Sequence, residues 1–208
     1  MQPKTSSITT FVFDMGGVLF ADGSQTSATL KTEKNYDPDL IKKIIRSDVR
    51  HNAMRGKITD NEFWQWAKAE LPPDYDIDYI RHTFYESYSM DEDAMALALK
   101  LKKLDYRIII FSGNMKTRVE YLDKKYNFLK NFETAVFSFN EGYTKPDLEF
   151  FDALVRSLGC DPGQAFLIDD REFNIAYMKE KYGMDGAIYS QGQIENLINK
   201  LKEIGIKI

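Results

Sequence analysis

Residues 11–19, Phe-Val-Phe-Asp-Met-Gly-Gly-Val-Leu, decide how the rest of this chain is read. Three apolar residues run into a carboxylate, Asp14, and then into the paired glycines Gly16 and Gly17. So short a continuous apolar run, closed by turn formers, fits a strand buried on both faces. Similar runs recur at 107–111, 134–137, 165–168 and 186–189, separated by helical patterns. Strands alternating with helices predict an α/β fold with a Rossmann-like parallel sheet covered on both sides. The helices predicted between the strands span 91–104, 148–158, 171–182 and 193–204. Their apolar stripes include Leu97, Leu101 and Leu104, then Phe150, Phe151 and Leu154, then Phe173 and Met178, then Leu197 and Leu201. Pro146-Asp147 reads as an early-helix signal and Gly205 as a helix stop.

Between the first and second strands lie about seventy residues with helical but no strand character, too many for a simple crossover. Helices are expected after Pro38, after Thr59, where Glu62 completes a capping box, and within 76–89. The division that follows is a core of residues 1–20 and 91–208 with a small helical cap, 21–90, beside the C-terminal strand ends.

The 208 residues are 43% hydrophobic and 29% charged, with formal net charge -4, which suits one domain or a core with a smaller insert. Basic residues are scattered or in short groups such as Lys42-Lys43 and Lys102-Lys103, so no nucleic acid partner is expected. The first apolar stretch is broken by Asp14 and is neither a membrane span nor a signal peptide, so a soluble cytoplasmic protein is expected, with no membrane partner. Cys160, the single cysteine, reads as structural or surface-exposed. Whether the chain is a monomer or a homodimer stays open.

Parallel strand ends share one edge of the sheet, where ligand crevices form. Asp14, Ser112, Lys145 and the pair Asp169-Asp170 all fall at or just beyond such ends. One hydroxyl, one ammonium and three carboxylates there suit phosphoryl transfer. Asp14 is the candidate nucleophile toward phosphorus, forming a phosphoaspartate that water hydrolyses. Two anions approach only if charge is neutralised, which calls for Mg²⁺ in oxygen ligands: Asp14, the Gly16 carbonyl and Asp169. Asp170 either completes that set through water or holds Lys145. Ser112 and the amides of Met15 and Gly113 are the candidate phosphate binders, with Lys145 offsetting the growing charge. The expected substrate is a small phosphorylated metabolite.

FDMGGVL (13–19), the Ser112 loop, GYTKPD (142–147) and FLIDDREFN (166–174) together resemble the four motifs of the haloacid dehalogenase superfamily, across essentially the whole chain. The resemblance implies Asp14 as nucleophile, Ser112 and Lys145 as phosphate binders, and Asp169, with Asp170 in the same acidic motif, as a metal ligand. DxGGV with DDxxxN, closed by Asn174, is most similar to the sugar-phosphate and glucose-1-phosphate phosphatase branch. Two positions depart from the usual pattern. Phosphatases of the superfamily commonly carry an acid–base aspartate where this chain has Gly16, a loss worth roughly 10² to 10⁴-fold in rate. Ser-Gly-Asn stands where many relatives read Ser-Asn, leaving Asn114 either to face substrate or to cap the next helix. Gly16 motivates an alternative, a phosphate-ligand binding or regulatory protein with weakened catalysis. A haloacid dehalogenase fits less well, because the Asp169-Asp170 pair would be a costly cluster of like charge without a cation.

For the remaining polar and aromatic residues the bland expectation is favoured. His51 and His82 are expected at surface or inter-helix positions, and Arg46, Arg50 and Arg55 as solvated helical arginines. Trp64 and Trp66 cannot share a helix face, so one packs the insert and the other is left for its lid surface. Arg171 and Glu172 are expected as an exposed first helical turn.

Overall fold

The apolar runs form a five-stranded, all-parallel sheet in the order β3-β2-β1-β4-β5, seen in a computed structural model that describes residues 7–208. Residues 1–6, assigned above to the core, lie outside the described residues. The strands are β1 (Thr10–Phe13), β2 (Arg107–Ser112), β3 (Thr134–Phe137), β4 (Ala165–Asp169) and β5 (Asp185–Ile188). β1 is central: Phe13 is level with Ile110 of β2 and Ile168 of β4. The next residue, Asp14, therefore emerges beside Asp169, and its N–H donates to the Ile168 carbonyl at 2.9 Å.

Period-two alternation sends the strand side chains into two cores. Phe11, Phe13, Ile108, Ile110, Phe166 and Ile168 pack against α6 (Glu92–Lys103), α7 (Lys116–Tyr126) and α11 (Ile194–Glu203). Val12, Ile109, Phe111 and Leu167 meet α9 (Leu148–Ser157) and Met178 of α10 (Glu172–Tyr182) on the other face. Full burial of such side chains contributes roughly 1.5 to 3 kcal/mol each. A one-turn helix, α8 (Ser138–Glu141), follows β3.

Several local expectations need correction. β5 starts one residue earlier than the apolar run suggests, because it is an edge strand whose side chains alternate between water and core. Leu104 is the C-cap of α6 and 43% exposed, and Phe173, in the first turn of α10, is 53% exposed. Leu104 lies past the last turn of its helix, and the Phe173 ring stacks on Tyr177 with centroids 6.1 Å apart. Pro146 lies before α9, whose N-cap is Asp147.

The insert contains α1 (Thr26–Lys34), α2 (Pro38–Ile45), α3 (Asp48–Met54), α4 (Asp60–Glu70) and α5 (Ile77–Glu86). Their apolar faces, including Leu30, Ile41, Ile44, Phe63, Ile80 and Phe84, form a separate cluster. The expected capping box is present: the Glu62 N–H donates to Thr59 Oγ1 at 3.2 Å, and the Thr59 N–H donates to Glu62 Oε2 at 2.7 Å. Trp64 is the buried indole, donating to the Tyr85 hydroxyl at 3.2 Å, whereas Trp66 is half-buried at the edge of the same cluster. Helices α1 and α3 escaped the sequence reading, α1 for its polar composition and α3 for its seven residues. The two chain segments joining insert to sheet are bonded to each other: the Ala21 N–H donates to the Ser89 carbonyl and the Asp91 N–H to the Leu19 carbonyl.

Outside the joining segments, Arg55 at the end of α3 donates two hydrogen bonds to Asp147, 2.8 and 2.9 Å long, tying the insert to the start of α9. Among the described residues no helix is long and apolar enough to cross a membrane. Cys160 is half-buried with its Sγ 3.5 Å from Thr10 Oγ1.

The Arg55 guanidinium holds the Asp147 carboxyl below its ordinary range. Arg55→Met is therefore expected to lower stability at pH 7 by about 1 to 2 kcal/mol in urea denaturation. A depressed pKa stabilises the fold above the unfolded-state value and loses that contribution as pH falls through the folded-state value. The difference between wild type and variant should shrink toward zero below the ordinary aspartate pKa, and a difference unchanged at pH 3 would contradict the assignment.

Candidate active site

Lys145, on the loop between α8 and α9, places its Nζ 2.9 Å from Asp14 Oδ2 and 2.7 Å from Asp169 Oδ2. The structure thus brings the β1 carboxylate, the β4 carboxylate and the ammonium together. Asp169 is fully buried, and its Oδ1 accepts the Arg171 N–H at 3.0 Å and Asn174 Nδ2 at 2.8 Å. Asn174 closes the acidic motif by orienting Asp169. Oxygen atoms of Asp14, Asp169 and Asp170 all lie within 4.8 Å of one another.

The electrostatics follow from burial and crowding. Burial pushes the Asp14 carboxyl up to about 7; Lys145 opposes the shift, while Asp169 and Asp170 reinforce it. Burial also opposes ionisation of Asp169, but Lys145, Asn174 and the Arg171 N–H outweigh it and hold the group below its ordinary value. Asp170 is raised by burial and by the charge of Asp169. Three crowded carboxylates share a single ammonium, so the cluster carries excess negative charge that a hard cation would neutralise. The all-oxygen donor set fits Mg²⁺.

A cleft of about 420 Å³ opens over this cluster, walled by strand-end loops on one side and by the insert on the other. Asp14, Gly16, Gly113, Asn114, Lys145 and Asp170 line it. Two glycines allow the loops to approach so closely. Gly17 has φ +84°, and a Cβ there would lie 2.7 Å from the Asp170 carboxyl carbon. A Cβ on Gly113 would overlap the Thr144 hydroxyl, which explains the extra glycine in Ser-Gly-Asn. Thr144 Oγ1 is buried without a hydrogen-bond partner among the described residues. Thr144 lies within the GYTKPD motif, but nothing in the motif sets it apart; only its packing against Gly113 does.

Some expected site residues are arranged differently. The Met15 N–H donates to Asp14 Oδ1 at 2.6 Å, so here it orients the carboxylate instead of standing open to a ligand. Ser112 is 1% exposed and does not line the cleft, whereas Gly113 and Asn114 do. Asn114 accepts the Met115 N–H at 2.9 Å and Arg118 Nε at 2.7 Å through its Oδ1, which makes it a holder of Arg118 as well as a wall of the cleft. Beside Gly16 stands the Tyr88 ring, with its hydroxyl 3.8 Å from where a Cβ would be. Tyr88 and Arg118 were missed in the sequence, as neither belongs to a recognisable motif.

Arg46, Arg50 and His51 also line the cleft. Arg46 is exposed as expected, whereas Arg50 is half-buried there and Arg55 is half-buried in its pair with Asp147, contrary to the expectation of solvated arginines. His82 is exposed and meets the edge of Tyr121, at 6.2 Å between ring centroids.

Comparison with known proteins agrees with this geometry. The family model for haloacid dehalogenase-like hydrolases matches residues 8–180. An uncharacterized protein of Dictyostelium discoideum is 31% identical over 215 residues, covering 90% of this chain and 94% of that one. A flavin mononucleotide hydrolase of Arabidopsis thaliana is 26% identical over 135 residues, covering 65% of this chain and 54% of that protein. Among solved structures, a haloacid dehalogenase family enzyme from Bacteroides thetaiotaomicron superposes with TM-score 0.78 at 21% identity, over 92% of this chain and 98% of the other. The same enzyme in complex with magnesium and inorganic phosphate gives TM-score 0.75 at 23% identity, over 89% and 96% of the two chains. By sequence family and by fold, this chain belongs to the haloacid dehalogenase-like hydrolases.

Proposed function

We propose that this hydrolase is a Mg²⁺-dependent phosphatase acting on a small phosphorylated metabolite, such as a sugar phosphate, with Asp14 as nucleophile and residues 21–90 as its cap. The observation that carries this reading is the Asp14 carboxylate at the floor of an open cleft, held between Lys145 and two further carboxylates. The Bacteroides enzyme with magnesium and phosphate and the Arabidopsis flavin mononucleotide hydrolase support it.

Asp14, Asp169, Asp170 and the Gly16 carbonyl would hold the ion. Bound there, Mg²⁺ would supply the positive charge that lets a carboxylate meet a phosphate dianion. An Asp14 oxygen attacks phosphorus in line, the bond to the leaving oxygen breaks, and Lys145 and the Gly113 N–H steady the charge on the phosphoryl oxygens. The Thr144 hydroxyl, buried and unpaired, is placed to donate to the same oxygens. Met15 would act on the phosphate through its hold on Asp14, and Ser112, buried at the end of β2 outside the cleft lining, would support the Gly113 loop behind it. Asn114 positions the loop. Water then attacks the phosphorus of the aspartyl phosphate, releasing inorganic phosphate and restoring Asp14.

With Gly16 there is no carboxyl to protonate the leaving alkoxide; solvent and the Tyr88 hydroxyl are the proton sources at that edge. This supports a second reading, a phosphate-binding protein with little turnover.

The two readings separate by assay with Mg²⁺. The phosphatase should turn over p-nitrophenyl phosphate roughly 10² to 10⁴ times faster than an alkyl phosphate, because the poor leaving group lacks a placed acid. Asp14→Asn should lower kcat/KM on the order of 10⁴-fold or more. Full activity in that variant, or no turnover of any phosphate ester by the wild type, would refute the reading.

A further expectation concerns charge balance without metal. In EDTA at pH 8, Lys145→Met should cost about 3 to 5 kcal/mol in urea denaturation, since it strands two buried carboxylates. At pH 5 protonation of Asp14 relieves part of that cost. A variant as stable as wild type at pH 8 would show that Lys145 does not balance this cluster.

A further inference from the structure

The chain has eight arginines, and they divide cleanly. Arg55, Arg81, Arg107 and Arg156 each pair with a carboxylate. Arg46, Arg50, Arg118 and Arg171 are in no ion pair among the described residues, and all four line the cleft over Asp14. Arg118 is 1% exposed. Its Nε is taken by Asn114, and its guanidinium lies over Tyr88 at 3.8 Å and Phe84 at 4.6 Å. Its Nη1 is nonetheless buried with no hydrogen-bond partner, as is Nε of Arg50.

Leaving a buried guanidinium without an ion-pair partner is costly, and placing a second one near it adds to the cost. Burial and the charges of Arg118 and Arg171 push Arg50 down to about 10, so it stays charged at neutral pH while repelled by its neighbours. His51, beside them, is depressed by burial and by Arg50 and Arg55. The carboxylates in the cleft are Asp14 and Asp170, which belong to the acidic cluster with Asp169, and Asp22, which is exposed and accepts the Ser24 N–H at 2.9 Å. On the phosphatase reading the transferred phosphoryl group would already have Lys145, the loop amides and a cation held by the carboxylates. The two enclosed guanidiniums, Arg50 and Arg118, with the exposed Arg46 and Arg171 beside them, bring more positive charge than that one group requires. Their planar donor forks suit carboxylate or phosphate oxygens.

We propose that Arg50 and Arg118, with Arg46 and Arg171 at the rim, form a second anion site, so that the natural substrate is a phosphomonoester carrying a further carboxylate or phosphate. This rests on the reading of Asp14 as the phosphoryl-accepting residue. It sets the substrate class apart from esters with an uncharged body.

Two matched pairs test it: glycerol 3-phosphate against 3-phosphoglycerate, and glucose 6-phosphate against glucose 1,6-bisphosphate. With Mg²⁺, the doubly anionic member of at least one pair should show kcat/KM higher by about tenfold or more, equivalent to about 1.4 kcal/mol. The pair that shows it distinguishes carboxylate from phosphate. Arg50→Met should bring that ratio close to one. Calorimetric titration of the same four compounds in EDTA reads the preference without turnover, and there too Arg50→Met should abolish it. Arg118→Lys, which keeps the charge and forfeits the planar fork, should lower the ratio in a protein that still folds. Equal kcat/KM and equal binding within both pairs would overturn the proposal, as would a preference that survives Arg50→Met. p-Nitrophenyl phosphate separates the two levels of failure. If it is hydrolysed while neither pair is discriminated, the second anion site is wrong and the phosphatase stands. If it is not hydrolysed but the binding preference is present, the reverse holds.

Discussion

A single ammonium group between two carboxylates organises the centre of this protein. Lys145 Nζ reaches Asp14 from β1 and Asp169 from β4, and both acidic side chains are buried at the point where adjacent parallel strands end. Parallel pairing makes this possible, because a level register brings two successive strand ends to the same height. The arrangement leaves one positive charge against three carboxylates, since Asp170 stands in the same cluster. Burial raises the Asp14 pKa, the neighbouring carboxylates raise it further, and the charge deficit makes the site receptive to a cation. Loop shape follows from the same demand for closeness: Gly17 yields room to Asp170 and Gly113 to Thr144.

Charge of the opposite sign comes from the insert, in Arg46 and Arg50, and from the core, in Arg118 of α7 and Arg171 before α10. The insert's own apolar cluster makes α1 to α5 a packed body, joined to the sheet by the paired segments at Leu19–Ala21 and Ser89–Asp91 and by Arg55 on Asp147. The cleft between insert and sheet therefore has an acidic floor, suited to a metal, and an arginine-rich wall, suited to anions. On the proposed reading, a substrate is gripped at both ends, and the distance from floor to wall selects its length.

Much of this was legible in the sequence because strand-end chemistry is written locally. Asp14, Lys145, Asp169 and Asp170 each follow or lie near a short apolar run, and a parallel sheet leaves such residues only one edge to share. The capping box at Thr59 and the choice of Trp64 or Trp66 for burial were equally local questions, and the first was answerable from spacing alone. What stayed hidden depends on contacts between distant segments. Arg118 is one position on a helix until Asn114, Phe84 and Tyr88 are seen around it. Tyr88 gains meaning only from its approach to Gly16, and Thr144 only from Gly113. Arg50 looked like an ordinary helical arginine because its neighbours in sequence do not reveal that α3 faces the cleft. Leu104 and Phe173 misled for the converse reason: each extends a helical stripe in sequence to a helix end, Leu104 after the last turn of α6 and Phe173 in the first turn of α10, where the side chain is exposed.

The account stands on Asp14 being the group that accepts phosphorus beside a cation. Beryllium trifluoride mimics a phosphoryl group bonded to a carboxylate, so the most direct measurement is a crystal structure of the protein grown with Mg²⁺ and beryllium fluoride. Density continuous with an Asp14 oxygen is expected, with a metal ion touching Asp14 and Asp169 and with Lys145 turned to a fluorine. A fluoride complex bonded to a different side chain, or a metal seated away from Asp14, would contradict it.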